Sequence, residues 1–401
     1  MKAGVAKKPR DLRLDFFRGL SLVAIFTAHV PGDWLAEVIW ARFGLSDAAH
    51  VFVFISGYAA AIAFGSTFVR DGFTIGTARI AWRCAQLYST HAALFVVGVA
   101  VCALGALYGV DYADFLGVKD FFADPGRTIL GLLTLRYVPT YFDILPLYML
   151  VLACVPLVML LARVHPGIVI ALSVALWSYV QATGFNLDAG TSSGRGWGFN
   201  PLAWQMLFFA GFALSRGWIE APRANRVLLV LAIGYLVFAL VAIHPAIYAL
   251  SPILGDLHAW AYSHAHKPNL DLRQFAHFLA LAYVALWAIR GRMALLESGI
   301  AWPFVQIGRQ ALPVFFAGMA LAHAGGILFA SLGDGFAMQV LVNVAGIGAL
   351  YAVARISAWV KVAPWKSGHG RPARAPAAVP VIAPPVVVAP VVVAHGATPA
   401  A

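Results

Sequence analysis

Three ionisable side chains fall in the first apolar stretch of the chain, LDFFRGLSLVAIFTAHV: Asp15, Arg18 and His29. On a helix, Asp15 and Arg18 are three positions apart and can pair on one face. Arg18 and His29 are eleven positions apart, which brings His29 back to within about 20° of the same direction, roughly 16 Å further along the axis. The spacing therefore predicts that His29 lies deep in the membrane on the Arg18 face. An ionisable group in lipid costs several kcal/mol unless it faces protein or water, so these residues indicate a functional site.

Imidazole is the side chain best suited to proton transfer near neutral pH, so His29 is the candidate for acid–base chemistry here. A structural interpretation stays open, in which Arg18 snorkels to the headgroups and His29 hydrogen-bonds a neighbouring helix. The second charge on the same face makes that interpretation the weaker one.

A polar stripe is predicted on the third span. Its members fall at i, i+4, i+7 and i+11, and they are Arg79, Arg83, Gln86 and Thr90. Two guanidinium groups one turn apart suit an anion, because their fork geometry matches phosphate. Anchoring at the cytoplasmic surface is the alternative, and it fits Arg79 better than the deeper Arg83.

Polar residues near the opposite helix ends are candidates for binding a substrate. Asp143 opens the segment DILPLY, and Arg273 and His277 form an i, i+4 pair. In GRGWGFNPLAWQMLF, Trp204 belongs to an aromatic belt and Gln205 is the strong hydrogen-bonding side chain. Such residues bind polar ligands, but they also stitch helices together or anchor them at the interface, and spacing alone favours those structural roles.

Serine and cysteine residues offer no comparable site. Ser56 has no G-x-S-x-G elbow or adjacent base, so Ser56 and Gly57 indicate close helix packing. The three cysteines lie in apolar stretches without metal-ligand spacing, and an odd number leaves one unpaired in any disulfide scheme. We therefore expect neither a metal site nor a disulfide.

The elements that must position these residues are membrane helices. Of the 401 residues, 61% are hydrophobic and 11% are charged, and the mean hydropathy is +0.81. A soluble domain carries more than twice that share of charge. The net charge of +11 is spread in small groups between apolar runs, which argues against nucleic acid as a partner and for membrane lipid.

Apolar windows predict an all-α, polytopic integral membrane protein with about ten transmembrane helices. The predicted spans are 16–36, 48–68, 82–108, 143–163, 166–184, 200–216, 225–250, 273–290, 305–330 and 336–358. Roughly 17 basic residues fall on one side of the membrane against about seven on the other, which predicts that both termini are cytoplasmic. Residues 1–15 form the basic N-terminus, 16–360 the transmembrane domain, and 361–401 a disordered cytoplasmic tail rich in Pro, Ala and Val.

Seven motifs spread over almost all of the chain before the tail: RDLRLDFFRGL with His29, FGLSDAAHVFVFISGY, RCAQLYSTH, FDILPLYML, WGFNPLAWQMLFFAG, DLRQFAHFLAL and GRQALPVFFAG. Together they resemble the OpgC-like membrane succinyltransferases of osmoregulated periplasmic glucans, within the wider superfamily of integral-membrane O-acyltransferases. One position departs from the pattern. His50 stands where the family motif has an acidic residue, which puts any role of an acid there in doubt.

The resemblance implies an enzyme of the bacterial inner membrane, with residues 16–360 as its acyltransferase domain. It would transfer an acyl group, most readily succinyl, from cytoplasmic acyl-CoA to a hydroxyl of a periplasmic glucan. The coenzyme is then a donor substrate, and no permanently bound cofactor is expected.

The resemblance also implies roles for the candidate residues. His29 is the general base on the glucan hydroxyl, while Arg18 and Asp15 order the helix or the donor. Arg79 and Arg83 lie near the coenzyme phosphates. The substrate-binding candidates are Asp143, Trp204, Gln205, Arg273 and His277. A covalent acyl intermediate on His or Ser stays open as an alternative to this direct transfer.

Three alternatives remain at this level. The first is transfer of acetyl or another acyl group to a different surface polysaccharide. The second is a transporter or flippase of a lipid-linked sugar that uses the same buried charges as gates, and the third is a membrane scaffold. Binding or hydrolysis of acyl-CoA by the purified protein separates the enzyme from the carrier, and a homo-oligomer is compatible with all of them.

Overall fold

A computed structural model describes residues 11–263, 267–297, 299–363 and 365. Regular structure in that part of the chain is helical, apart from one isolated β-bridge between Asp188 and Gly196. The α-helices are α1 (Leu12–His29), α2 (Ala48–Ala60), α3 (Ser66–Arg70), α4 (Phe73–Leu107), α5 (Lys119–Ala123), α6 (Pro125–Leu133), α7 (Ile144–Ala153), α8 (Val155–Val164), α9 (Pro166–Thr183), α10 (Pro201–Arg216), α11 (Arg226–Ile243), α12 (Pro245–Tyr248), α13 (Pro252–Ser263), α14 (Leu272–Ala288), α15 (Ala301–Arg309), α16 (Ala311–Leu332) and α17 (Phe336–Val362). A π-helical turn, Ala61–Gly65, joins α2 to α3, and short 3₁₀ helices cover Trp34–Glu37, Trp40–Arg42, Lys267–Asn269 and Met293–Leu296.

The prediction of an all-α, polytopic membrane protein is confirmed. Among the described residues, seven helices are long and apolar enough to cross a membrane by length and composition: Ala48–Arg70, Phe73–Leu107, Ile144–Val164, Pro166–Thr183, Arg226–Ile243, Ala311–Leu332 and Phe336–Val362. The other three predicted spans are present as the helices α1, α10 and α14, which are shorter or carry more charge. The count of ten crossings stays a prediction, as does the cytoplasmic location of both termini.

Several predicted spans were wrong at their ends, and proline explains three of these differences. The first helix ends at His29, and not near residue 36, because Pro31 and the left-handed Gly32 (φ 79°) follow. His29 is therefore the last residue of α1. Pro245 stops α11 at Ile243, and Pro313 interrupts the predicted span 305–330 at Gln310, between α15 and α16.

Two close helix crossings hold the centre of the bundle together. Where α1 meets α15, a Cβ on Gly19 would lie 1.8 Å from the carbonyl oxygen of Phe304. Where α2 meets α10, a Cβ on Gly57 would lie 1.9 Å from the carbonyl oxygen of Phe208. Only glycine allows backbones to approach this closely. The close packing predicted at Gly57 is confirmed.

The helices divide into central and peripheral ones. In the most apolar 18-residue windows, about half of the residues are buried in Ala48–Arg70 and in Ala311–Leu332, but 17% are buried in Pro166–Thr183 and in Arg226–Ile243. The two peripheral helices thus present apolar side chains outward, as a surface in contact with acyl chains requires. The polar candidate residues belong to the central helices and their connecting loops.

The chain divides into two compact units, Met1–Ala358 and Trp359–Ala401. The first contains all of the candidate residues. The predicted tail lies almost wholly outside the described residues, and so does most of the predicted N-terminal segment 1–15. Those two assignments stay predictions.

Candidate functional site

A cavity of about 250 Å³ lies between α1, α2, α4, α7 and α16. Its lining is mostly apolar, but two guanidinium groups and one hydroxyl also reach it. They belong to Arg18, Arg83 and Ser56, and we call this space the guanidinium cavity. The other lining residues are Phe52, Ala59, Ala60, Ala63, Phe64, Leu87, Ile144, Leu145, Tyr148, Ala311, Leu312 and Phe315. Guanidinium groups that line an apolar cavity suit an anionic ligand, because their N–H groups form charge-assisted hydrogen bonds to anions.

Hydrogen bonds hold the two arginines of the guanidinium cavity in place, one to a neighbouring helix and one within α4. Arg18 Nη2 donates to the carbonyl oxygen of Ile55 on α2, at 3.2 Å. Arg83 Nη1 donates to Gln86 Oε1 at 3.1 Å, one turn along α4. A guanidinium has five N–H donors, so the bond to Gln86 leaves Arg83 able to bind an anion as well. The sequence places Arg18 on the first predicted span and Arg83 on the third, and the structure brings the two arginines to one cavity.

Arg79 occupies a different place from Arg83. Its Nη1 donates to Thr67 Oγ1, and its guanidinium lies 5.8 Å from the ring centroid of Phe64. Arg79 is exposed and is not among the residues that line the guanidinium cavity. The π-helical turn Ala61–Gly65 lies beside it and forms part of the cavity wall. Such turns are frequent at functional sites.

Asp15 forms an ion pair across the α1–α15 crossing. It is 2% exposed, and its Oδ2 lies 3.5 Å from Arg309 Nε. The Arg309 guanidinium in turn lies 5.1 Å from the ring centroid of Trp302. The sequence interpretation considered only Arg18 as a partner of Asp15 and missed Arg309. A single arginine in the motif GRQALPVFFAG was the available signal.

His29 is half-buried at the end of α1, and its hydrogen bond fixes its tautomer. Its Nδ1 lies 2.6 Å from the carbonyl oxygen of Ile25, which can only accept, so Nδ1 carries the proton. In the neutral ring Nε2 then has a free lone pair. That nitrogen can take a proton from a substrate, as a general base must.

Tyr141 contacts His29 and links it to further aromatic and imidazole rings from three segments of the chain. Tyr141 lies edge-on to His29 at 5.0 Å between ring centroids, stacks on Phe115 at 5.4 Å, and lies 6.1 Å from His323 of α16. Tyr112 lies 6.1 Å from His323 and 5.1 Å from Phe115. We call these five residues the His29 cluster. Phe115 is 41% exposed, so the cluster can be reached from outside.

A charged group adjoins the His29 cluster. Lys267 Nζ lies 2.5 Å from Asp47 Oδ2, and His50 Nδ1 lies 2.9 Å from Asp47 Oδ1. Burial by itself raises the pKa of Asp47, but Lys267 and His50 together hold that pKa well below its usual range, so Asp47 is ionised. Lys267 acts electrostatically on His29 and on Tyr141. At the position where the family motif has an acid, His50 thus pairs with the neighbouring carboxylate.

Asp143 lies next to the same charged group. It is 5% exposed, and its Oδ2 packs against Gly198, where a Cβ would lie 2.3 Å away. Burial raises the pKa of Asp143 above its ordinary value, although Arg195 and Lys267 oppose the shift. Among the candidates predicted to bind substrate, Asp143 is therefore the buried carboxyl group beside Lys267.

Trp204 and Gln205 form bonds within the protein. Trp204 is fully buried, and its Nε1 donates to the carbonyl oxygens of Lys267 and Pro268, each at 3.1 Å. Gln205 bonds both the hydroxyl and the carbonyl oxygen of Ser173, at 2.7 and 2.8 Å. A fully buried indole offers no face to a sugar in this conformation. The geometry gives Trp204 the role of positioning Lys267, and gives Gln205 that of joining α9 to α10.

Arg273 and His277 also have partners within the protein. Arg273 Nε lies 3.0 Å from Asp271 Oδ1, and its guanidinium lies 5.2 Å from the ring centroid of Trp260. His277 is 3% exposed, and its Nδ1 lies 2.7 Å from Ser46 Oγ. These bonds hold the loop before α2 and the start of α14. They fit the helix-stitching alternative better than direct contact with substrate.

The structure adds candidate residues that the sequence interpretation did not include. Tyr112, Phe115 and Tyr141 lie in irregular segments, where no helical period assigns them to a face. His323 follows the rule that singled out His29, since it is an ionisable residue within an apolar helix. That rule could have found it. In the part of the chain that the structure describes, no group of three or more His, Cys, Asp or Glu is placed to hold a metal ion.

An all-α bundle of long apolar helices, with the guanidinium cavity and the His29 cluster between them, is the architecture of a polytopic integral membrane protein. The sequence model of the OpgC protein family matches residues 10–362, so the chain belongs to the OpgC family. The family predicted from the motifs is confirmed, and it supports a transferase with a role in modifying osmoregulated periplasmic glucans. The wider superfamily placement stays a prediction. No curated protein and no solved structure matches the chain.

Proposed function

We propose that the protein transfers a succinyl group, or a closely related acyl group, from cytoplasmic acyl-CoA to a hydroxyl of a periplasmic glucan. The observation that carries the proposal is the guanidinium cavity, because Arg18 lies on the same helix as His29. The two residues are about 16 Å apart along the axis of α1. An extended coenzyme arm can cover that distance, so one helix would serve both the donor and the acceptor.

The donor enters from the cytoplasmic side in this proposal. Its phosphates lie near Arg79, while Arg83 and Arg18 attract the anionic donor into the guanidinium cavity. The apolar lining excludes water from the thioester and strengthens the electrostatic attraction of the two guanidinium groups. The acceptor glucan approaches from the opposite side, where Phe115 is exposed.

The chemistry requires one proton acceptor. His29 Nε2 takes the proton of the glucan hydroxyl as its oxygen attacks the thioester carbonyl. The carbon–sulfur bond then breaks, and the coenzyme thiolate leaves and receives the proton. A positioned base contributes about 10² to 10⁴-fold to the rate. The acceptor gains an ester and the donor becomes free thiol, so atoms and charges balance.

The test uses the full chain purified in lipid nanodiscs with succinyl-CoA and a glucan acceptor. We expect free thiol to appear in step with a succinylated glucan detected by mass spectrometry. A carrier would move the sugar without consuming the thioester. Acylation with acetyl-CoA only, or binding of a lipid-linked sugar with no reaction, would replace the proposal with the corresponding alternative.

A further inference from the structure

Two polar groups of the His29 cluster have no use in the mechanism above. Tyr112 is 6% exposed and His323 is 2% exposed. Within the described part of the chain, the Tyr112 hydroxyl and His323 Nδ1 are buried without a hydrogen-bond partner. Buried polar groups are almost always paired, so two orphaned groups in neighbouring rings call for an explanation.

A glycine on α16 brings the two groups to one place. A Cβ on Gly326 would lie 2.5 Å from the Tyr112 hydroxyl oxygen, so the hydroxyl occupies the space that a larger residue would fill. Gly326 is three positions beyond His323, and residues at that spacing share a helix face. The Tyr112 hydroxyl and the His323 ring therefore lie over the same face of α16.

The same glycine connects this face to His29. Pro31, two residues beyond His29, packs against Gly326, with its Cδ 2.6 Å from the Cβ position. The Tyr141 ring lies between the two histidines, with its centroid 5.0 Å from that of His29 and 6.1 Å from that of His323. Its φ of 71° is unusual for a residue other than glycine, and such conformations cluster at functional sites.

We propose that Tyr112 and His323 form a subsite that binds hydroxyl groups of the acceptor sugar beside His29, and that the sugar reaches the two buried groups when the exposed Phe115 ring beside Tyr112 turns aside. A phenol and a neutral imidazole can each donate or accept, and neighbouring sugar hydroxyls offer both functions. Phe115, exposed and stacked on Tyr141, supplies an apolar ring face next to these polar groups. The inference rests on the proposed function only in taking the ligand to be a glycan.

Tyr112→Phe tests the subsite with the smallest change, since it removes one oxygen and keeps the ring. The probe is a linear β-linked glucose oligosaccharide. We expect its dissociation constant, measured without donor, and its KM to rise about tenfold, as loss of one hydrogen bond predicts. The KM for succinyl-CoA stays unchanged. Tyr108→Phe is the matched control, because Tyr108 is 71% exposed, and it leaves both values as in the wild type.

His323→Gln and Gly326→Ala extend the test. Gln retains one donor and one acceptor, so it weakens oligosaccharide binding less than His323→Ala does. Gly326→Ala displaces both the Tyr112 hydroxyl and Pro31 without removing any polar group, so it should weaken oligosaccharide binding, whereas Gly348→Ala on α17 meets open space and serves as its control. Thermal unfolding of each variant shows whether it is folded.

The outcomes separate this subsite from the proposed function. The subsite is overturned if the wild type does not bind the oligosaccharide, or if Tyr112→Phe and His323→Ala both bind it as the wild type does. Equal losses of affinity for the donor and for the acceptor overturn it too, since they indicate that the two residues have a general packing role. Binding that depends on Tyr112, with no acyl transfer from coenzyme A by the wild type, supports the subsite and refutes the proposed reaction.

Discussion

At the level of single residues, the hydrogen bond from His29 Nδ1 to the Ile25 carbonyl leads to the sharpest prediction. It leaves Nε2 as the basic nitrogen of the neutral ring. Gln matches the reach of His and can donate and accept hydrogen bonds, but it cannot take a proton at neutral pH. His29→Gln should therefore lower glucan acylation about 10²-fold or more while the protein stays folded and inserted.

The measurement is the acyl content of periplasmic glucans by mass spectrometry, at equal protein level. His165→Gln is the control, because His165 is an exposed residue between α8 and α9. Acylation within a few-fold of the wild type in His29→Gln would make His29 a packing residue.

Arg83 and Arg79 allow a graded test of the donor site. Arg83 lines the guanidinium cavity, whereas Arg79 bonds to Thr67 at its edge. Arg83→Ala should raise the KM for succinyl-CoA about tenfold or more, and Arg83→Lys should rescue only part of the loss, because Lys keeps the charge but not the fork. Arg79→Ala should have the smaller effect. Unchanged donor KM in Arg83→Ala would show that the stripe is structural.

At the level of elements, apolar windows located every long helix, but they placed several ends poorly. Hydropathy continues past His29 into Val30, yet Pro31 removes a backbone donor and ends α1. The same applies at Pro313, where one predicted span is two helices in the structure. These ends were predictable from proline. The π-helical turn at Ala61–Gly65 was not, because its sequence AIAFG carries no local signal.

Replacement by alanine should have opposite effects on stability at two glycines, one at the α2–α10 crossing and one on α11. A Cβ on Gly57 would lie 1.9 Å from the Phe208 carbonyl oxygen, so Gly57→Ala must push the helices apart. We expect it to destabilise the protein by about 1–3 kcal/mol, as overpacking does. Gly234 on α11 meets open space, and Gly234→Ala should stabilise by up to about 1 kcal/mol through helix propensity.

Thermal unfolding in detergent measures both glycine variants. The same direction of shift in the two would mean that helix propensity, and not contact between backbones, controls these positions.

At the level of the whole molecule, the two parts of the candidate site differ in how far the sequence could predict them. Arg18 and Arg83 were found because helical spacing places residues on a face within one element. The pairs Asp15–Arg309 and Asp47–Lys267 join residues more than 200 positions apart. Spacing along the chain carries no information about such contacts. They follow from the arrangement of the helices in space, which composition and periodicity leave open.

The proposed reaction also requires that the two parts of the site open to opposite sides of the membrane. The bias of basic residues predicts that Arg226 faces the cytoplasm and that Asp114, close to Phe115, faces the periplasm. Both residues are exposed, so each can be replaced by a cysteine in a variant whose native cysteines are removed. In intact cells a membrane-impermeant maleimide should label Asp114→Cys but not Arg226→Cys. After permeabilisation it should label both variants. A fluorescent-protein fusion after Ala363 should fluoresce, since an even number of spans returns the chain to the cytoplasm. Labelling of Arg226→Cys in intact cells would reverse the orientation and place the guanidinium cavity on the side that has no acyl-CoA.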